Sequence, residues 1–334
     1  MKGAIVLLIV VLTAGFVAGG CGSDEPDPTE LWNLIPDNAT IVLAADAARI
    51  LDDPLFDLLG ADQRHELDNK LGEFGFTQSD FQNITAFSTQ ALQGLNLDRP
   101  KSIGLLIECT RDLGGRLSQD PFGIDCERRR LPDGRTYLAN DRERFYLTVL
   151  GKRAFLVSAD EFLLQGLSPE TDLSVPFGGP KTCAALVGSV HADAECLAGL
   201  ALRSGGSDRL LAQMTMQGIA EGCRAIGGDR ATQQQILALV NDIEFIDLSV
   251  SHRGNDYSVR CCLHLSHPES VNRAMPLLQR IQACAKTQAR QNDAEGYARL
   301  LEQARISAHT GFVSIDLTLP LGGLIFLTKQ LDLG

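Results

Sequence analysis

Apolar residues fall along this chain in short runs whose spacing changes repeatedly between a helical period and strict alternation. The first clear run, residues 40–45, follows the turn signal Ile35-Pro36-Asp37-Asn38 and predicts a strand. Residues 47–59 set Leu51, Leu55, Leu58 and Leu59 on one side, a helical spacing that Pro54 interrupts. Residues 62–74 predict a second helix, with Leu67 and Leu71 four apart and Arg64, Glu66 and Lys70 turned to water. Strands are predicted at 84–92 and 102–109, followed by a long connection, 110–133, rich in Gly, Asp and Arg. Loops of that length are uncommon unless functional or pinned. A hairpin at 145–150 and 154–158, turning over Gly151-Lys152, leads into a short helix at 161–167.

Three prolines and two glycines in Ser168–Pro180 mark a boundary, and the pattern that follows resembles the first half in order. It predicts a strand at 182–190 and helices at 192–202, 208–226 and 231–240. A hairpin of 244–252 with 257–265 then turns around Arg253-Gly254-Asn255-Asp256. A long helix over 268–291, kinked at Pro276, continues into 294–304. Strands 305–308 and 312–319 and a short apolar helix, 321–331, complete the chain. The predicted fold class is α+β: two topologically similar halves, 31–168 and 181–334 joined by a linker at 169–180, each an antiparallel sheet packed against helices. The order of elements also resembles that of exported bacterial proteins of unknown function. In those, segments like IPDNATIVLAADAARILDDPLFDLL and GLNLDRP recur in similar form. These are packing and turn signatures, and the resemblance implies no activity.

The N-terminus changes the picture. Lys2 is followed by an apolar run from Ala4 to Val17, too short for a comfortable membrane span, and then by small residues. Val17-Ala18-Gly19-Gly20-Cys21 resembles the lipobox of bacterial lipoproteins, with Ala18 where leucine is usual. The resemblance implies cleavage after residue 20, a diacylglyceryl group on the Cys21 sulfur, and acylation of the new amino terminus. Three acyl chains exceed the two that suffice for stable anchoring, at about 0.8 kcal/mol per buried CH2. Residues 21–30 then form an acylated cysteine and polar tether. Gly22, rather than Asp, resembles the sorting pattern for outer-membrane delivery in enteric bacteria, so the expected location is the cell envelope at the outer membrane.

Charge and cysteine content follow from that address. Removing residues 1–20 takes away Lys2 and no acidic residue, which leaves 29 Lys+Arg against 42 Asp+Glu, a formal charge of −13. Such an acidic body argues against nucleic acid as a partner. The hydrophobic fraction, 44%, is enough for a core. Apart from Cys21 the chain carries Cys109, Cys126, Cys183, Cys196, Cys223, Cys261, Cys262 and Cys284, an even number suited to disulfides in an exported protein. Cys109 and Cys126 bracket most of the long connection and are predicted to bond; Cys223 and Cys284, each on a predicted helix, are a second candidate pair.

Three constellations could carry chemistry. On the strand 257–265, alternation puts Val259, Cys261, Leu263 and Leu265 on one face and Arg260, Cys262 and His264 on the other. Cys262 and His264 could share a metal with His267. A structural zinc site needs four N or S ligands, however, so disulfides are preferred and no metal is assigned. Arg128, Arg129 and Arg130 begin a basic island that could clamp an anion, against the plainer reading of a solvated face interleaved with Asp133, Asp141 and Glu143. Asp46, Asp52, Asp53 and Asp57 read as caps and turns around Pro54.

No catalytic residue or cofactor is assigned. The expected function is a lipid-anchored envelope protein with a non-catalytic binding or structural role. Its partners are the membrane, through the lipid, and an envelope protein or apolar ligand. The alternatives are a periplasmic carrier of lipid or another apolar ligand, and an envelope hydrolase without a recognisable motif. A large dry cavity lined by Leu, Ile and Phe would favour the carrier. A third ligand beside Cys262 and His264 would favour the enzyme.

Overall fold

Alternation and helical spacing translate into a mostly antiparallel sheet with helices in a computed structural model. It describes residues 35–36, 39–54, 56, 61–73, 75–89, 103–119, 123–131, 134–161, 164, 195–203, 230–291 and 295–323. The fold class is α+β. The chain divides into two compact units, Met1–Ala198 and Gly199–Gly334. The predicted linker at 169–180, the helix at 208–226 and the strand at 182–190 lie outside the described residues.

In the first unit the apolar run IVLAAD forms strand β1 (Ile41–Asp46). Its last residue starts helix α1 (Ala47–Leu51), because the Asp46 side chain accepts from the Arg49 backbone N–H at 3.1 Å. The helix stops well short of residue 59, three residues ahead of Pro54, whose ring cannot sit in a helix interior. Helix α2 (Ala61–Glu73) matches its prediction closely. A 3-10 turn, Gln78–Asp80, follows; Asp80 Oδ2 accepts from the Thr77 N–H at 2.6 Å and from the Arg111 guanidinium at 2.6 Å.

Strands β2 (Phe81–Ser88), β3 (Ile103–Cys109), β4 (Glu127–Arg130), β5 (Thr136–Asn140), β6 (Phe145–Val149) and β7 (Ala154–Ser158) join β1 in the order β1-β2-β3-β7-β6-β5-β4. One face of this sheet buries Phe81, Ile84, Ile107, Leu147 and Phe155 against Ala47, Phe56 and Phe76.

The connection predicted as a bare loop, 110–133, contains the short helix α3 (Gly114–Leu117) and all of β4. It is not stapled by the predicted bond: Cys109 and Cys126 both carry free thiols. Cys109 is buried in the apolar cluster and Cys126 packs on it, so both serve as small hydrophobes. Backbone hydrogen bonds hold the segment instead. The Leu113 and Gly114 N–H groups both donate to the Lys152 carbonyl at 2.9 Å, and the Thr110 N–H donates to the Asp80 carbonyl at 2.9 Å.

Strand β8 (Cys196–Arg203) opens in the last residues of the first unit and runs into the second. This corrects the helix predicted at 192–202. Ala and Leu favour a helix locally, but Cys196, Leu197, Gly199 and Ala201 are buried and Gly199 weakens helical propensity, so tertiary burial decides. Helix α4 (Arg230–Asp242) precedes the hairpin of β9 (Ile243–Arg253) and β10 (Asp256–Leu265), whose turn uses positive φ at Gly254. Helix α5 (Ser270–Gln291) carries Pro276 inside it, helix α6 (Glu295–Gln303) follows, and β11 (Arg305–His309) pairs with β12 (Phe312–Pro320).

The second unit's order is β8-β9-β10-β12-β11. Its core sets Leu265 and Val313 of the sheet against Val271 and Ala274 of α5. Among the described residues no helix is long and apolar enough to cross a membrane.

Candidate functional site

Hairpin register brings three ligating side chains of the second unit together. Antiparallel pairing of β9 with β10 sets Asp247 directly opposite Cys262, and β12 sets Ser314 opposite Cys262 on the other side. His264 lies two residues along β10 and therefore on the same face. The Nε2 of His264 and Oδ2 of Asp247 are 2.5 Å apart. One ligand atom from each of Asp247, Cys262 and His264 lies within 4.8 Å of the other two.

The cluster is well shielded: Cys262 is 6% exposed, and the side chains of His264 and Asp247 are 14% and 16% exposed. Burial first, then the Asp247 carboxylate, pushes the Cys262 thiol up to about 12. A negative carboxylate next to a desolvated thiol keeps the proton on sulfur.

Neighbouring rows extend the polar face. The Arg260 Nε donates to Asp316 Oδ1 at 2.5 Å, and the Ser314 hydroxyl donates to Asp316 Oδ2 at 2.9 Å. His309 Nε2 lies 3.1 Å from Ser314 Oγ. An aromatic row borders this one, with His264 stacked on Phe312 at 5.1 Å and His309 on Phe312 at 4.4 Å between ring centroids. The face opposite carries Leu265 and Val313 against the helices. One sheet thus has an apolar side and a side lined with ligating and hydrogen-bonding groups.

The predicted sharing of a face by Arg260, Cys262 and His264 agrees with the pairing of β10. The expected third partner, His267, lies past the strand end and outside the cluster; Asp247 takes its place. Asp247 was legible from the turn. With Arg253 opposite Asp256, each step back along one strand matches a step forward along the other, which brings 247 to 262. Cys261 and Cys262 lie on opposite faces of β10, as alternation requires. Cys262 is the more buried of the two, although Arg260 on the same face is exposed.

Neither Cys261 nor Cys262 forms a disulfide, and Cys284 also carries a free thiol; Cys183 and Cys223 lie outside the described residues. The Cys196 Sγ donates to the Ala198 carbonyl at 3.4 Å.

The arginine triplet is divided by its own strand. Alternation along β4 sends Arg129 to one face and Arg128 and Arg130 to the other. Arg129 donates to Asp141 Oδ2 at 2.6 Å and to Glu127 Oε2 at 3.2 Å, and lies 3.8 Å from Glu161. Asp141 and Glu127 push the pKa of Arg129 further up, and the Arg129 hydrogen bond in turn holds the Asp141 carboxyl below the usual range. Arg128 donates to the Ser118 carbonyl at 3.0 Å. Of the acids named beside the island, Asp141 engages Arg129, Glu143 lies 3.9 Å from Arg142, and Asp133 lies outside the described residues.

A groove of about 830 Å³ between α4 and α5 sets Leu239 and Leu277 beside Gln234, Asp242, Arg273 and Arg280. With Gln, Asp and Arg side chains among its lining, it is not the dry cavity of Leu, Ile and Phe that would mark a lipid carrier.

No protein-family model matches the chain, and no curated protein matches it. Solved structures do. Crystal form I of TP0453 is 12% identical, at a TM-score of 0.44, over 93% of this chain and 99% of that one. Crystal form III is 12% identical, at a TM-score of 0.41, over 92% and 99%.

Proposed function

We propose that the protein is a lipid-anchored component of the bacterial cell envelope with a non-catalytic binding or structural role. Its body is built as two topologically similar α+β halves held off the bilayer by the tether at 21–30. One observation carries the reading. Lys2, the apolar run to Val17, the small residues 18–20 and Cys21 stand in the order that export and lipidation require, directly ahead of an acidic, proline-containing spacer. The lack of an Asp after Cys21 supports delivery to the outer membrane.

Exchange of the acylated sulfur tests this. Cys21→Ser expressed in a lipoprotein-processing bacterium is expected to leave the membrane fraction, while the unsubstituted protein stays there through a high-salt wash. Equal retention of both would contradict the anchor.

A second reading, an envelope hydrolase, is favoured by the third ligand beside Cys262 and His264. A metal held by three protein side chains keeps a coordination position for water. The groove between α4 and α5 gives no comparable support to the carrier.

A further inference from the structure

We propose that Asp247, Cys262 and His264 bind one divalent transition-metal ion of the zinc class through Oδ, Sγ and Nε2. The inference holds whether or not Cys21 is acylated and whether or not the protein is an enzyme.

Three features carry it. The donors are one carboxylate, one thiol and one imidazole, a borderline-soft set that suits zinc and its neighbours and disfavours magnesium and calcium, which take oxygen ligands. The atoms already lie within 4.8 Å of one another on paired strands, with register placing Asp247 against Cys262. Ligands on a sheet are held more firmly than ligands on loops. Metal–ligand bonds of about 2.0–2.3 Å put tetrahedral ligands rather more than 3 Å apart. Entry of the ion therefore asks the 2.5 Å contact between His264 and Asp247 to open by about 1 Å, within side-chain rotation. Finally, the site is shielded without being dry. Its donors are mostly buried, and Ser314 faces Cys262 from β12 beside His309 and Asp316, positions from which an outer hydrogen-bonding shell could act.

The proton balance is simple. The cation takes the place of the Cys262 thiol proton, which passes to solvent, while the neutral His264 ring keeps its single proton on Nδ1 and presents the Nε2 lone pair in place of its contact with Asp247. A thiolate, a carboxylate and a neutral imidazole then surround a doubly charged ion, which leaves no net buried charge at the site. A hydrogen-bonded Asp–His pair with a bystanding thiol is the competing explanation of the same coordinates, and it predicts no metal affinity.

The test uses the detergent-extracted full-length protein, purified without chelator or reductant and titrated with Co2+ under anaerobic conditions. Binding is expected to give a thiolate-to-cobalt charge-transfer band in the near ultraviolet at one ion per chain, discharged by equimolar Zn2+. Cys262→Ser should abolish the band. His264→Gln should weaken cobalt binding by more than about tenfold, since even outer-shell changes cost 10–100-fold. Cys261→Ser, on the opposite face, should retain the band.

Far-ultraviolet circular dichroism checks that each variant is folded. Should Cys262→Ser fail that check, His264→Gln and Asp247→Asn carry the same test. Absence of the band, its survival in Cys262→Ser or in both ligand variants, or recovery of Cys262 in a disulfide would each overturn the proposal.

Discussion

Phe155→Ala is expected to lower the unfolding free energy by about 3–5 kcal/mol, the usual loss for a buried phenylalanine. Phe155 is 2% exposed and sits on β7, which lies between β3 and β6 in the first unit's sheet. Its ring lies 6.5 Å from that of Phe76, and Ile84, Ile107 and Leu147 belong to the same cluster. Truncation leaves a void that sheet neighbours on both sides cannot close, because paired strands cannot move inward independently. Denaturant titration followed by circular dichroism reads the effect as a lower midpoint. Leu237→Ala provides the contrast: Leu237 is 36% exposed on α4, and its loss should fall within about 0.5 kcal/mol. Equal effects from the two would mean that the cluster around Phe155 is not the first unit's core.

Gly114→Ala is expected to destabilise by about 1–3 kcal/mol, whereas Gly115→Ala next to it should be neutral or stabilising by up to about 1 kcal/mol. A Cβ on Gly114 would stand 2.4 Å from the Gly151 carbonyl oxygen and 3.2 Å from a Val149 methyl. The first of these is backbone and cannot swing aside. The Gly114 N–H donates to the Lys152 carbonyl, so displacement of Gly114 also strains the contact that pins this segment to the β6–β7 turn. At Gly115 a Cβ meets nothing within 4 Å and would only reduce the freedom of the unfolded chain. The pair separates steric approach from helix propensity at adjacent positions of α3. Parity between them would contradict the close packing at residue 114.

Much of this fold was legible wherever local pattern and tertiary burial agree. The hairpin β9–β10, the helices α2, α4, α5 and α6, and the β11–β12 pair all fall close to their predicted limits. Each combines a clean period with a glycine turn or a long amphipathic run.

The misses have particular causes. Strand β8 carries Ala and Leu, which spell helix when read locally, and its burial reverses that preference. β4 has the sequence ERRR, which carries no apolar signal, and β5 is only five residues long. Both are strands because β6 pairs with β5 and β5 with β4. The Cys109–Cys126 bond was inferred from loop length, but backbone hydrogen bonds to Lys152 and Asp80 tie that segment down without it.

The cluster at Asp247 divides the same way. Cys262 and His264 could be put on one face from alternation alone, while Asp247 required the register of the turn at Gly254. The burial of Cys262 could not be read from the strand, because an Arg–Cys–His alternation looks like a solvated edge. Three adjacent charges suggest one patch, yet a strand places neighbours on opposite faces, and Asp141 engages the middle one.

Intact-mass spectrometry of protein extracted from native membranes addresses the envelope anchor most directly. The account predicts a polypeptide beginning at Cys21, heavier than its sequence by one diacylglyceryl group and one amide-linked acyl chain. A mass equal to that of a polypeptide without any acyl group would contradict it.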